Sequence, residues 1–248
     1  MERKITEKEE LEKYKLTVLN LIPTIEKNLS DIKEYNFVQN GLQKISDKIN
    51  SEVNLKNDMI ILRLNFLISR VDLELCYIQK NLIDAETKYE QNYFIKLAYL
   101  NIYEAIKAYN KEIKIIKSII PNPKFENLFK YINKFFNNFK KDYSFDQNMN
   151  QIRNSIIGHF EVEIEEYFKI TEEFEIKKSI IMIYRFSIAL AFLLDFIIDL
   201  YENIGREKPA DFDFEKVKNY YNNLCDQLPR NNFDLLEEEL KEFFDAIR

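Results

Sequence analysis

The chain holds a single histidine, His159, and it closes the run Ile152-Arg153-Asn154-Ser155-Ile156-Ile157-Gly158-His159. A lone imidazole titrates near neutrality and can move a proton as general acid or base. It cannot by itself build a zinc site, which takes three or four His, Cys or carboxylate ligands. Six residues earlier, Arg153 offers a planar, permanently charged fork of the kind that grips phosphate oxygens. The pair points to work on a phosphodiester, and no cofactor is expected. Lys140, Lys141 and Tyr143, a short way upstream, are candidates for phosphate contacts and base stacking.

Geometry makes that expectation demanding. On a straight helix, residues six apart are rotated by roughly 240° and separated by about 9 Å along the axis, so Arg153 and His159 do not share a face. Two devices could unite them. Gly158 can take the left-handed conformation that ends a helix and turns the chain back, or a second subunit can bring its own pair to a common cleft. Simpler readings stand beside these. A histidine after a helix-ending glycine can merely cap free carbonyls, Arg153 can pair with Glu161 or Glu163, and Lys140-Lys141 can top a solvated helix end. Glu104 and Lys107 read either as a second polar cluster in the cleft or as an exposed i, i+3 pair.

The elements that must position these residues are helical. Three glycines and five prolines in 248 residues leave long unpunctuated segments, and apolar residues recur at spacings of three and four. A first helix is expected from Thr6, where Thr6 and Glu9 match a capping box, with Pro23 ending or kinking it. A second is expected over 36–50 and a third over 55–85, so that residues 1–87 form an N-terminal helical hairpin or layer. A long helix over 88–120 is stopped by Pro121-Asn122-Pro123. Another covers 125–140, and a shorter one, opened by Ser144 or Asp146, runs to Gly158. Residues 160–174 read as a short strand, a loop or a helical turn. An apolar helix over 175–203 follows, and residues 206–248 add two amphipathic helices, 214–228 and 233–247. The whole reads as one all-α helical bundle with long antiparallel helices.

Composition bounds the function. A net charge of −6 and a pI near 5.2 exclude indiscriminate coating of nucleic acid, while a local basic patch stays open. The acidic run Glu161 to Glu166 directly follows His159 and would repel phosphate and raise the imidazole pKa if it crowds the site. Cys76 and Cys225 read as reduced, buried packing residues. Nothing near Met1 resembles an export signal, so a cytoplasmic protein is expected. The stretch from Ser179 to Leu200 is about long enough to cross a bilayer, yet Arg185, Asp195 and Asp199 interrupt it, which marks a central bundle helix.

The pattern Arg153-Asn154, four residues, His159 resembles the Arg-x(4–6)-His signature of the HEPN superfamily, in which the residue after the arginine is commonly polar. The setting is similar too: HEPN domains are bundles of four or five helices with the signature late in the bundle and a long apolar helix behind it, as over 88–205 here. The resemblance does not cover the N-terminal layer or the last 40 residues. It implies a metal-independent endoribonuclease of toxin–antitoxin or antiviral defence, acting on RNA as a homodimer, with an antitoxin or nucleotidyltransferase as partner. By that resemblance His159 is the acid/base group, Arg153 holds the non-bridging phosphate oxygens, and Asn154 orients the phosphate or the imidazole. The competing expectation is a catalytically inactive helical module for dimerisation or partner binding.

Overall fold

The computed structural model describes residues 7–48, 56–121, 123–153 and 164–203. They form α1 (Glu7–Lys48), α2 (Lys56–Asp84), α3 (Lys88–Ile119), α4 (Pro123–Asp142), a π-helical turn (Phe145–Met149), α5 (Ile164–Glu172) and α6 (Ile176–Asn203). The described chain is all-α, and among the described residues there is no strand. Residues 160–174, where strand, loop and helix were open, contain α5 from Ile164 onward. Thr6, the C-terminal helices expected over 206–248, and Cys225 lie outside the described residues.

One expectation is corrected at the N-terminus. Pro23 does not separate two helices; α1 runs through it for 42 residues and absorbs the element expected over 36–50. An interior proline costs about 3 kcal/mol because it removes one hydrogen bond and crowds the preceding turn. Here it sits on the exposed face, where water can serve the freed carbonyl. On the opposite face Tyr14, Val18, Ile22 and Ile32 are buried, and packing of such side chains, roughly 1.5–3 kcal/mol each, outweighs the defect.

α2 is the hub. It packs on α1, α3 and α6, which explains why Leu64, Ile68, Val71, Leu75, Cys76, Ile78 and Leu82 are all buried, on more than one face. Tyr14 opposite Gln79 and Asn28 opposite Asn65 and Ser69 make α1 and α2 antiparallel. Glu74 with Asn101, and Arg63 with Glu112, do the same for α2 and α3. The start of α3 is fixed by a capping box: the Thr87 hydroxyl accepts from the Glu90 amide, and the Glu90 carboxylate accepts from the Thr87 amide. Those bonds hold the Glu90 carboxyl below its ordinary pKa. Its end comes one residue before Ile120, which is extended (φ −67°, ψ 122°) as a residue preceding proline must be.

α4 and α6 meet antiparallel along an aromatic seam. Phe129 stacks on Phe196 at 5.4 Å between centroids, Phe135 meets Phe192 edge-on at 6.1 Å, and Phe136 and Phe139 both contact Phe186. α6 is long and apolar enough to cross a membrane, but 67% of its apolar window is buried inside the bundle, as a core helix requires. Phe174, just before α6, stacks on Tyr99, and its carbonyl accepts from Lys88 Nζ at 2.6 Å. The loop is thus tied to the first turns of α3.

A small polar pocket interrupts this core where α1, α2 and α6 converge. A cavity of about 30 Å³ is lined by Tyr14, Cys76, Gln79, Tyr184, Ser187 and Asp72. Gln79 donates to the Tyr14 hydroxyl at 2.9 Å. Burial pushes the Asp72 carboxyl up to about 6, although a hydrogen bond from Ser187 opposes the shift. Asp72 Oδ1 has no hydrogen-bond partner among the described residues. Because the folded pKa exceeds the unfolded value of roughly 4, this group favours the fold below about pH 4, and its contribution falls as pH rises to about 6 and then stays flat. Asp72→Asn mimics the neutral form, so urea titrations at pH 8 should show a gain of roughly 2 kcal/mol that vanishes near pH 4. Equal effects at the two pH values would contradict an ionised buried carboxylate.

Candidate functional site

Asn154 and His159, together with Gly158, lie outside the described residues. Arg153, Lys140, Lys141 and Tyr143 are described, and the geometry of the site is built from them and from what they touch. α4 ends at Asp142, and the chain reverses through Ser144, whose φ of 46° and ψ of 53° place it in the left-handed region. Such a conformation costs a serine about 1–2 kcal/mol. The reversal is held by backbone bonds from Tyr143 N to Phe139 O and from Ser144 N to Lys141 O. Ser144 was expected to open the next helix as a side-chain cap. It precedes the π-helical turn, but its side chain makes no capping bond; its role lies in the backbone turn.

The π-helical turn presses its own apolar residues inward. Phe145 and Met149 are buried, as is Ile152 a turn later. Phe145 stacks on Tyr103 of α3 at 4.9 Å, and the Tyr103 hydroxyl donates to Asn150 Oδ1 at 2.9 Å. Lys107 lies over the Tyr103 ring, its Nζ 5.3 Å from the centroid. Arg153 Nε then meets Glu104 Oε1 at 3.4 Å. Three interactions therefore join Tyr103 and Glu104 of α3 to residues 145–153. Glu104 and Lys107, adjacent on α3, are each engaged by the polar and aromatic groups of that junction. The Arg153–Glu104 pair is about half exposed on both sides, a setting in which ion pairs are worth under about 1 kcal/mol. The alternative partners Glu161 and Glu163 lie outside the described residues.

Lys140 and Lys141 occupy the last turn of α4, where cations oppose the negative helix end. Lys141 is exposed and Lys140 half-buried. Tyr143 is more deeply engaged: its ring lies against Phe139 at 4.6 Å, and the Arg185 guanidinium sits 5.5 Å from its centroid. Arg185 in turn donates to Asp142 Oδ2 at 2.8 Å. Nearby, burial pushes the Tyr99 hydroxyl up to about 12, with Tyr143 and Glu173 adding to the shift.

Arg185 interrupts the apolar stretch from Ser179 to Leu200, and its place in the site is not evident from the Arg153–His159 spacing. The available signal was its position: a cation in the middle of an otherwise apolar helix must find a partner, because an unpaired buried charge is prohibitive. The partner is the Asp142–Tyr143 corner, 43 residues away in sequence. Among the described residues, no three His, Cys, Asp or Glu side chains gather in a way that could hold a metal. Comparison of the chain with protein-family models, curated proteins and solved structures returns no match.

The side chain of Arg185 is only 12% exposed while that of Asp142 is 43% exposed, so taking away the exposed carboxylate, which leaves the buried guanidinium charge uncompensated by it, is the worse change. Asp142→Ala should lower the unfolding free energy by about 1–3 kcal/mol, and Arg185→Gln, which removes the buried charge itself, by less. A double-mutant cycle read by urea unfolding should return a coupling of roughly 0.5–2 kcal/mol. Additivity of the two substitutions would show that the corner is held by packing alone.

Proposed function

We propose that the chain is a metal-independent endoribonuclease of the HEPN type, acting as a dimer in the cytoplasm as a toxin or antiviral effector. The observation that carries this reading is the Arg153-Asn154-x(4)-His159 spacing within an all-helical bundle backed by the apolar α6. The anchoring of the chain just before it adds support. Phe145, Met149 and Ile152 are buried, so Arg153 leaves the bundle from a fixed root with its guanidinium partly exposed.

In the proposed reaction the ribose 2′-oxygen attacks the adjacent phosphorus as the bond to the 5′-oxygen breaks, leaving a 2′,3′-cyclic phosphate and a 5′-hydroxyl. His159 takes the 2′-hydroxyl proton or delivers a proton to the departing oxygen. Arg153 meets the charge that builds on the non-bridging oxygens. Asn154 orients the phosphate or the imidazole, and Lys140, Lys141 and Tyr143 guide the strand. An antitoxin or nucleotidyltransferase is the kind of partner that would restrain such an activity.

A second reading is favoured by a specific observation. Glu104 already neutralises Arg153, and the chain is acidic overall, which suits a catalytically silent helical module that dimerises or binds a protein partner. The two separate in one experiment. Purified protein incubated with RNA and a chelator should cleave it, and Arg153→Ala and His159→Ala should each reduce the rate by 10²-fold or more with unchanged circular dichroism. Absence of cleavage, with a defined dimer by light scattering, selects the silent module; cleavage that survives both substitutions rejects the assignment of the site.

A further inference from the structure

At the end of the bundle far from Arg185, three helices splay around an apolar groove. Its volume is about 340 Å³, and its walls are Ile32 and Tyr35 of α1, Leu62 of α2, and Ile197, Ile198 and Tyr201 of α6. Ile198 and Tyr201 are 42% and 40% exposed, a large apolar exposure for the last two turns of a helix that is otherwise core. The groove is built rather than collapsed. The Tyr35 and Tyr201 hydroxyls hydrogen-bond across it at 2.6 Å, their rings edge-to-face, and Asn28 at its floor bonds to Asn65 and Ser69. A second apolar hollow on the other side of the α1–α2 seam leaves Phe66 and, beyond it, Phe37 and Val38 exposed.

What covers the groove is indicated by where the chain goes next. α6 ends at Asn203, within a turn of Tyr201, and 45 further residues follow. In that sequence Phe214, Val217, Tyr221, Leu224 and Leu228 recur at alternating spacings of three and four, which puts them on one stripe of a helix. The connection over 204–213 can span roughly 33 Å when extended, ample to return a helix along the groove beside which it starts. A segment tethered at that distance has an effective concentration on the order of millimolar, so an apolar stripe needs little intrinsic affinity to stay docked.

We infer that the segment 214–228 docks its Phe214–Leu228 stripe into the groove formed by α1, α2 and α6 of the same chain. The stripe completes the burial of Ile198 and Tyr201, which the described helices leave open.

The absence of tryptophan in the chain allows a direct test. Ile198→Trp in the full-length protein places a single indole in the groove. Expected are a blue-shifted emission and acrylamide quenching several-fold weaker than for free indole, both independent of protein concentration. Val217→Asp with Leu224→Asp should shift the emission to that of solvent-exposed tryptophan while far-ultraviolet circular dichroism still reports a folded bundle. If Ile198→Trp impairs folding, Tyr201→Trp serves as the second probe of the same groove. Solvent-like emission with the natural segment, blue emission that survives the double substitution, or blue emission that is lost on dilution would each overturn the inference, the last by showing that a second copy fills the groove.

Discussion

The constraint on which the rest depends is the burial of α6. A helix carrying Phe186, Phe192, Phe196, Ile183, Ile197 and Leu200 over about half of its circumference has a broad apolar face that must be enclosed. α2 covers one side, α4 covers another with its own row of phenylalanines, and α3 adds a third contact. α1 cannot reach α6 along its whole length and instead backs α2, touching α6 through the pairs Tyr14–Tyr184 and Tyr35–Tyr201. The polar pocket around Asp72 and the groove beside Tyr201 both lie along this incompletely sealed line between α1 and α6.

The same constraint reaches the candidate site through α3 and α4. Because α4 is locked to α6 by Phe136 and Phe139, its C-terminal end is fixed, and the reversal at Ser144 can aim Phe145 at Tyr103. A π-helical turn has a wider, poorer backbone geometry than an α-helix and persists only where tertiary contacts hold it. Here stacking on Tyr103, the Tyr103–Asn150 hydrogen bond and the burial of Met149 supply them. Arg153 therefore projects from a rigid root even though the pair it makes with Glu104 is weak. Rigidity of the root and looseness of the tip are separate properties, set respectively by buried area and by solvent.

How far the sequence carried these features depends on the length scale of the force involved. The spacing of Ile60 to Leu75 and of Phe94 to Ile116 reports local periodicity, and α2 and α3 emerge within a residue or two of their expected limits. Pro121 and Pro123 act on their immediate neighbours and end α3 where expected. Pro23 does not end α1 because its effect depends on which face it occupies and on what α2 contributes across the interface, which no local pattern contains. The π-helical turn and the left-handed Ser144 were illegible for the same reason, since both exist by virtue of Tyr103 some forty residues earlier. Thr87 and Glu90 form a capping box whose Thr-x-x-Glu spacing is local and legible in the sequence. The partner of Arg153 on α3 and the pairing of Arg185 with Asp142 are long-range contacts outside the reach of spacing arguments.

Magnitudes also bear on whether Glu104 precludes a phosphate at Arg153. Two half-exposed groups 3.4 Å apart attract by less than about 1 kcal/mol once solvent screening and side-chain entropy are counted. A hydrogen bond from a guanidinium to a charged phosphate oxygen contributes about 1.5–3 kcal/mol, and a fork can make two. The Glu104 pair is thus a restraint that a bound phosphodiester can displace or share. The electrostatic objection to an anionic ligand then rests less on Glu104 than on the acidic run that follows His159.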